Sequence, residues 1–236
     1  MEYETMNKDN FCLDTNTIIS YLFLFEPQYN LINKFISNNP NDNYYYTENI
    51  LRESEKIFIE KYNSIRSILL DFNKYLNSQH NSYNTFEYFL NQFITSNKKT
   101  YTFNGKIYTK QDIRKILTIM WYNMSTDESI DGFELQKYIS SYLSKLINEI
   151  WTFKENFFNN LIFIPAHKYN YSEIIKTLKE NNSHHEDNMI ILDLYEYYLN
   201  KNIKFILITF DKNFYNAIQK SNLKFITQVY NLEDIK

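Results

Sequence analysis

Glycine is nearly absent: the 236 residues contain 2, Gly105 and Gly132, far apart in the chain. P-loops and dinucleotide fingerprints need several glycines close together so that the backbone can wrap a phosphate, and both are excluded. A single cysteine, Cys12, excludes an intramolecular disulfide, a CxxC redox pair and a Cys-rich zinc centre. It points to a reducing, cytoplasmic setting. Long hydrophobic runs are missing as well. Ile18 to Phe25 is interrupted by Ser20 and falls well short of the roughly 20 residues that span a bilayer. The opening MEYETMNKDN carries acids where a secretory leader would be basic, so no membrane partner is expected. Positive charge is not in excess either. Lys and Arg number 25 against 28 Asp and Glu, a net charge of −3, and any nucleic-acid binding has to be local rather than driven by a global field.

Aromatic residues are plentiful, with 22 Tyr, 19 Phe and 2 Trp. A chain this long and this apolar buries a core of its own. Phe11 to Leu13 reads as a short buried strand ending at Asp14, with a helix over Thr15 to Phe25. Asn38 to Asn43 reads as a loop around Pro40, Tyr44 to Tyr46 as a strand and Thr47 as a helix cap. Helical patterning then runs from Glu48 to Asn77 and from Tyr83 to Ser96. A hairpin over Thr102 to Tyr108 turns at Asn104 and Gly105. Thr109 with Asp112 resembles a capping box that opens a helix to Met124, and a further helix covers Phe133 to Phe158. Towards the end, strands at Leu161 to Ile164, Lys204 to Thr209 and Lys224 to Thr227 alternate with helices at Tyr171 to Glu180, Ser183 to Asn200 and Asp211 to Lys220. Such alternation predicts an α/β fold with a mostly parallel sheet of about five strands. One domain is expected over 1–236, its sheet built from about 10–60 and 160–236, with a large helical insertion at about 64–160. Within that insertion Lys98, Lys99, Lys106, Lys110, Arg114 and Lys115 face a single acid, Asp112. That local excess of positive charge suits a phosphate backbone, or else forms an ordinary solvated face.

In open parallel sheets ligands bind outside the carboxyl ends of the strands, which singles out Asp14 and Asp211, each following a strand and preceding a helix. Helix capping is the ordinary role of such an acid. Ser183 and Glu186 form an S-x-x-E capping box, which puts Asp187 in the first helical turn. Asp187 then shares a stripe with Ile190, Ile191, Leu194 and Tyr198, where an ionised acid needs compensation. Asp193, about 240° further around the helix, reads as a solvated surface acid. Glu53 and Glu55 bear the same periodic relation to their apolar neighbours, and periodicity does not choose between them.

Four segments, FCLDTN, YYYTENILRESEKI, HHEDNMIILDL and FILITFDKNF, resemble in order and spacing the PIN-domain nucleases. That resemblance implies a three-layer PIN-like fold. It makes Asp14, Glu53 of ILRE, Asp187 and Asp211 the four catalytic acids, which also hold the metal. Asn16 of DTN and Thr209 of TFD fall at supporting polar positions, and Glu186 is an auxiliary acid. The implied activity is endoribonucleolytic hydrolysis of phosphodiester bonds, dependent on Mg²⁺ or Mn²⁺, leaving 5′-phosphate ends. Oxygen-only ligands favour such hard cations over zinc, and His184 with His185 lacks the HExxH pattern of a zinc site. RNA is the implied partner. Small family members act as toxins neutralised by a protein, so an antitoxin-like inhibitor and a second copy of the chain are further candidate partners. Two other readings compete: a non-catalytic PIN-like module that binds RNA or protein, and a haloacid-dehalogenase-like phosphatase. CLDTNT resembles the DxDxT motif of those phosphatases, but Asn16 stands where its second Asp would be.

Overall fold

A computed structural model describes residues 8–79, 83–103, 105–124 and 129–234. In chain order the elements are β1 (Asn10–Leu13), α1 (Thr15–Leu22), α2 (Tyr29–Asn38), β2 (Asn43–Thr47), α3 (Glu48–Asn77), β3 (Tyr83–Thr85), α4 (Phe86–Ser96), β4 (Thr102–Phe103), β5 (Lys106–Ile107), α5 (Lys110–Met124), β6 (Ser129–Asp131), α6 (Gly132–Asn159), β7 (Ile162–Ile164), α7 (Ser172–Glu180), α8 (His185–Lys201), β8 (Phe205–Thr209), α9 (Lys212–Ser221) and β9 (Ile226–Asn231). Two compact units divide them: residues 1–56 with 154–236, and residues 57–153. The division falls inside α3 and α6.

The first unit is an α/β structure. Its five strands lie in the order β7-β2-β1-β8-β9, and every neighbouring pair is parallel. Alternate strand residues point to opposite faces, and the aromatic contacts follow that rule. Phe11 meets Phe35 of α2, with ring centroids 5.1 Å apart, and Tyr46 meets Phe158 of α6 at 4.9 Å. Tyr45, one residue from Tyr46, packs against Tyr197 of α8 at 6.1 Å. Helices therefore cover both faces. Sequence order along the sheet reverses between β1 and β8, so the topological switch point, where ligands enter folds of this class, lies where Asp14 and Asp211 follow their strands.

In the second unit α4 and α5 pack around an aromatic core. Phe86 and Trp121 stack in parallel with centroids 4.7 Å apart, and Phe72 of α3 packs on Phe93 at 5.1 Å. β3 and β6 pair antiparallel, as do β4 and β5. Gly105 turns the latter hairpin at a φ of 71°, while Asn104 lies outside the described residues. Thr109 and Asp112 form the full capping box, the Asp112 N–H donating to Thr109 Oγ1 at 3.1 Å and the Thr109 N–H to Asp112 Oδ2 at 2.8 Å.

Helix ends use asparagine where glycine is usual. Asn182, Asn202 and Asn222 adopt φ of 61°, 55° and 45°, the left-handed region in which asparagine is the commonest substitute for glycine. At the end of α7 the Asn182 N–H donates to the Lys179 carbonyl and the Ser183 N–H to the Leu178 carbonyl, both at 3.1 Å, which is a Schellman motif. Ser183 is thus part of the stop of α7. His184, not Ser183, caps α8, with no side-chain bond, so the expected Ser183–Glu186 box does not form.

Other elements also differ from expectation. The first helix stops at Leu22 rather than Phe25, a separate helix α2 follows, and the final strand covers Ile226–Asn231 rather than Lys224 to Thr227. Tyr83 to Thr85 is a strand, and Thr85 caps α4 by accepting the Tyr88 N–H at 3.2 Å. Among the described residues no helix is long and apolar enough to cross a membrane.

Candidate active site at the carboxyl edge of the sheet

Asp14 ends β1 with its own N–H still in the ladder, donating to the Ile208 carbonyl at 3.0 Å. It is also the N-cap of α1. Oδ1 accepts the Thr15 N–H at 2.7 Å, and Oδ2 accepts the Thr209 hydroxyl at 2.8 Å. Thr209 Oγ1 in turn accepts the Asp211 N–H at 2.9 Å, so one hydroxyl ties the two strands across the switch point. Asp211 caps α9, Oδ1 accepting the N–H groups of Asn213 and Phe214 at 2.7 and 3.0 Å. Glu53 comes in from α3, where its Oε2 accepts the Thr15 hydroxyl at 2.7 Å. Glu55 instead pairs with the buried Lys154 at 3.0 Å and is itself half-exposed. Asp187 sits in the first turn of α8 and accepts the His184 N–H.

Electrostatics link the four acids. Burial pushes Asp14 up to about 7, against the lowering effect of the Thr209 and Thr15 bonds, and the charges of Asp187 and Glu53 raise it further. Burial pushes Asp187 up to about 6, with Asp211 and then Glu53 adding to the rise, while the His184 N–H and ring lower it. These acids repel one another in a poorly solvated place. A pair of like charges about 4 Å apart at an effective dielectric of 20 repels by roughly 4 kcal/mol. Hard cations relieve that repulsion, and a donor set made of carboxylate oxygens suits them. As the side chains stand, no three His, Cys, Asp or Glu among the described residues are grouped to hold an ion. Cys12 is buried, and burial with Asp14 and Asp193 nearby pushes its thiol up, so it stays a neutral thiol.

Several side chains take other places than their motifs suggested. Asn16 and Glu186 are exposed, and the bond to Glu53 comes from Thr15, whose side chain the sequence reading did not single out. His184 and His185 are exposed at the start of α8. Asp193 is the clearest correction: it is 0% exposed, not a surface acid. Its Oδ2 accepts Asn49 Nδ2 at 2.7 Å, and its Oδ1 accepts the His167 N–H at 2.9 Å and faces His167 Nδ1 at 2.7 Å. Residues 190–194 of α8 are buried all round, so helical periodicity has no exposed side to report there. His167 follows β7 and Pro165, 26 residues earlier in the chain, and nothing local in the sequence couples the two. In the second unit Lys98, Lys106, Lys110 and Lys115 are exposed. Lys99 is held by Asp71 at 2.6 Å and Arg114 by Glu87 at 3.1 Å, which leaves the basic patch smaller than its sequence suggests.

Comparison with known proteins gives no match: no family model, curated protein or solved structure is similar enough to report.

Proposed function

We propose that the chain is a divalent-metal-dependent ribonuclease with a PIN-like fold, acting at the carboxyl edge of its parallel sheet. The observation that carries this reading is the hydrogen-bonded arrangement at the β1/β8 switch point, where Thr15 links Asp14 to Glu53 and Thr209 links Asp14 to the Asp211 backbone, with the charge of Asp187 acting on Asp14. Two of these acids, Asp14 and Asp187, lie above the ordinary carboxylate range, which helix capping alone does not require and which a bound cation would relieve. The resemblance of FCLDTN, ILRE, HHED and TFD to the family motifs supports the same reading.

Asp14, Glu53, Asp187 and Asp211 would hold Mg²⁺ or Mn²⁺, which when bound polarises a phosphodiester and lowers the pKa of an attacking water. Thr209 and Thr15 keep the Asp14 and Glu53 carboxylates turned to fixed directions, so little reorganisation is needed when a phosphate arrives. The Asp211 carboxylate keeps one oxygen in its cap and leaves the other for the site. Exposed Lys106, Lys110 and Lys115 supply the local positive charge that a polyanion needs in a chain of net charge −3, each neutralising about one phosphate.

The test incubates purified protein with single-stranded RNA, structured RNA and single-stranded DNA in Mn²⁺, with EDTA and Asp14→Asn lanes alongside. RNA cleavage that needs both the metal and Asp14 is the expected result. Millimolar Mn²⁺ should also raise the melting temperature of the wild type, because an ion bound only by the folded state stabilises it. Cleavage that persists in Asp14→Asn overturns the assignment. No cleavage and no Mn²⁺ shift leaves a binding module as the better description.

A further inference from the structure

We infer that Thr15 is a positioning residue of this site, its hydroxyl holding Glu53 while its N–H caps Asp14. This rests on the nuclease reading above and extends it to a residue whose side chain the motifs do not mark. Thr15 is 2% exposed and opens α1. Its N–H goes to Asp14 Oδ1 at 2.7 Å and its hydroxyl to Glu53 Oε2 at 2.7 Å. One residue therefore holds the carboxylate that follows β1 and one from α3, 38 positions from Thr15 in the chain.

A threonine inside a helix commonly turns its hydroxyl back to the carbonyl three or four residues earlier. At Thr15 those carbonyls belong to Cys12 and Phe11 of β1, which lies in the sheet between β2 and β8. The hydroxyl is directed across to α3 instead. By occupying Oε2, it decides which Glu53 oxygen is committed to the scaffold, and Oε1 is left for a cation. Thr209 does the same for Asp14 from β8. The two threonines divide the work: Thr209 couples Asp14 to the β8 end of the switch point, and Thr15 couples Asp14 to Glu53.

The experiment compares wild type, Thr15→Val, Thr15→Ser, Glu53→Gln and the Thr15→Val/Glu53→Gln double variant. It reads the Mn²⁺ concentration giving half the maximal thermal shift, and cleavage of single-stranded RNA. Valine keeps the volume and loses only the hydroxyl, so Thr15→Val should raise the Mn²⁺ midpoint 10- to 100-fold, the usual effect of losing a group that orients a metal ligand. Thr15→Ser should stay within about threefold of wild type. In the Glu53→Gln background Thr15→Val should add nothing to the midpoint, because the carboxylate it positions is gone. Circular dichroism and metal-free melting check each fold, and Thr15→Ala replaces Thr15→Val if the latter does not fold. A Thr15→Val midpoint equal to wild type, a Thr15→Ser variant as impaired as Thr15→Val, or full additivity with Glu53→Gln overturns the inference while the nuclease reading stands. A wild type that neither cleaves RNA nor responds to Mn²⁺ overturns both.

Discussion

At the scale of single residues the raised carboxyls make the site sensitive to pH. In the folded chain Asp14 holds its proton to about pH 7 and Asp187 to about pH 6, whereas an unfolded aspartate releases it near pH 4. The folded state therefore binds more protons between those values. The stability these groups contribute is greatest at low pH and is lost as pH rises through about 6 and then 7. For Asp14, nearly fully buried, a shift of that size corresponds to a ceiling of about 4 kcal/mol. Asp14→Asn removes the penalty. In EDTA its stability relative to wild type should grow between pH 5 and pH 8, by about 2 kcal/mol after allowing for the altered bonds to Thr15 and Thr209. Urea unfolding at both pH values checks this, and a difference that does not change with pH contradicts it. In the proposed nuclease, cleavage depends on the ionised acids, so its rate should climb across the same interval. Asp193 is a buried acid of another kind, its carboxylate accepting from Asn49 and from the His167 N–H. Replacing Asp193 with alanine leaves those donors without an acceptor in a buried place and should destabilise by about 3 kcal/mol, read from the urea midpoint.

At the scale of elements, what the sequence disclosed depended on how local the cause was. Four of the five strands of the sheet were visible as short apolar runs, the last overlapping its expected run only at Ile226 and Thr227, and α3 was legible over its full span because a long amphipathic stripe averages out its exceptions. Thr109 and Asp112 signalled a cap because both partners lie within four residues. Thr109→Ala should accordingly destabilise by about 1 kcal/mol without changing the Mn²⁺ midpoint of the first unit. Where two motifs overlapped, the longer-range geometry decided. Ser183 had the look of a cap for α8, yet its N–H was already taken by the stop of α7. Asp193 had the look of a surface acid because the periodic rule presumes one wet side, and the middle of α8 has none. Glu53 and Glu55 were equivalent in pattern; Thr15 on one side and Lys154 on the other separate them, and neither lies near them in sequence.

For the whole molecule, the proposed function rests on bringing distant segments to one edge of a sheet. Asp14 and Asp211 were legible there because a parallel sheet exposes its carboxyl ends at a switch point, a rule of topology that strand order alone can invoke. Thr15 was not, since its partner is known only once α3 has docked. In the proposed function the basic residues of the second unit make a separate contribution. Changing Lys106, Lys110 and Lys115 together to glutamine should weaken RNA binding and lower the steepness of its salt dependence by roughly one unit per lost phosphate contact. Binding titrations at several salt concentrations measure this, and an unchanged slope removes the patch from the RNA-binding surface.

The three left-handed asparagines carry a practical consequence. A chain with 2 glycines has withheld glycine from the helix ends that favour it most, where Asn182, Asn202 and Asn222 bear a Cβ in a conformation that strains it. Each asparagine-to-glycine exchange there recovers part of about 1 kcal/mol, and 1 kcal/mol moves the melting point of a domain this size by roughly 2–4 °C. Three surface substitutions, none of them touching the acids, therefore offer a direct route to a hardier protein.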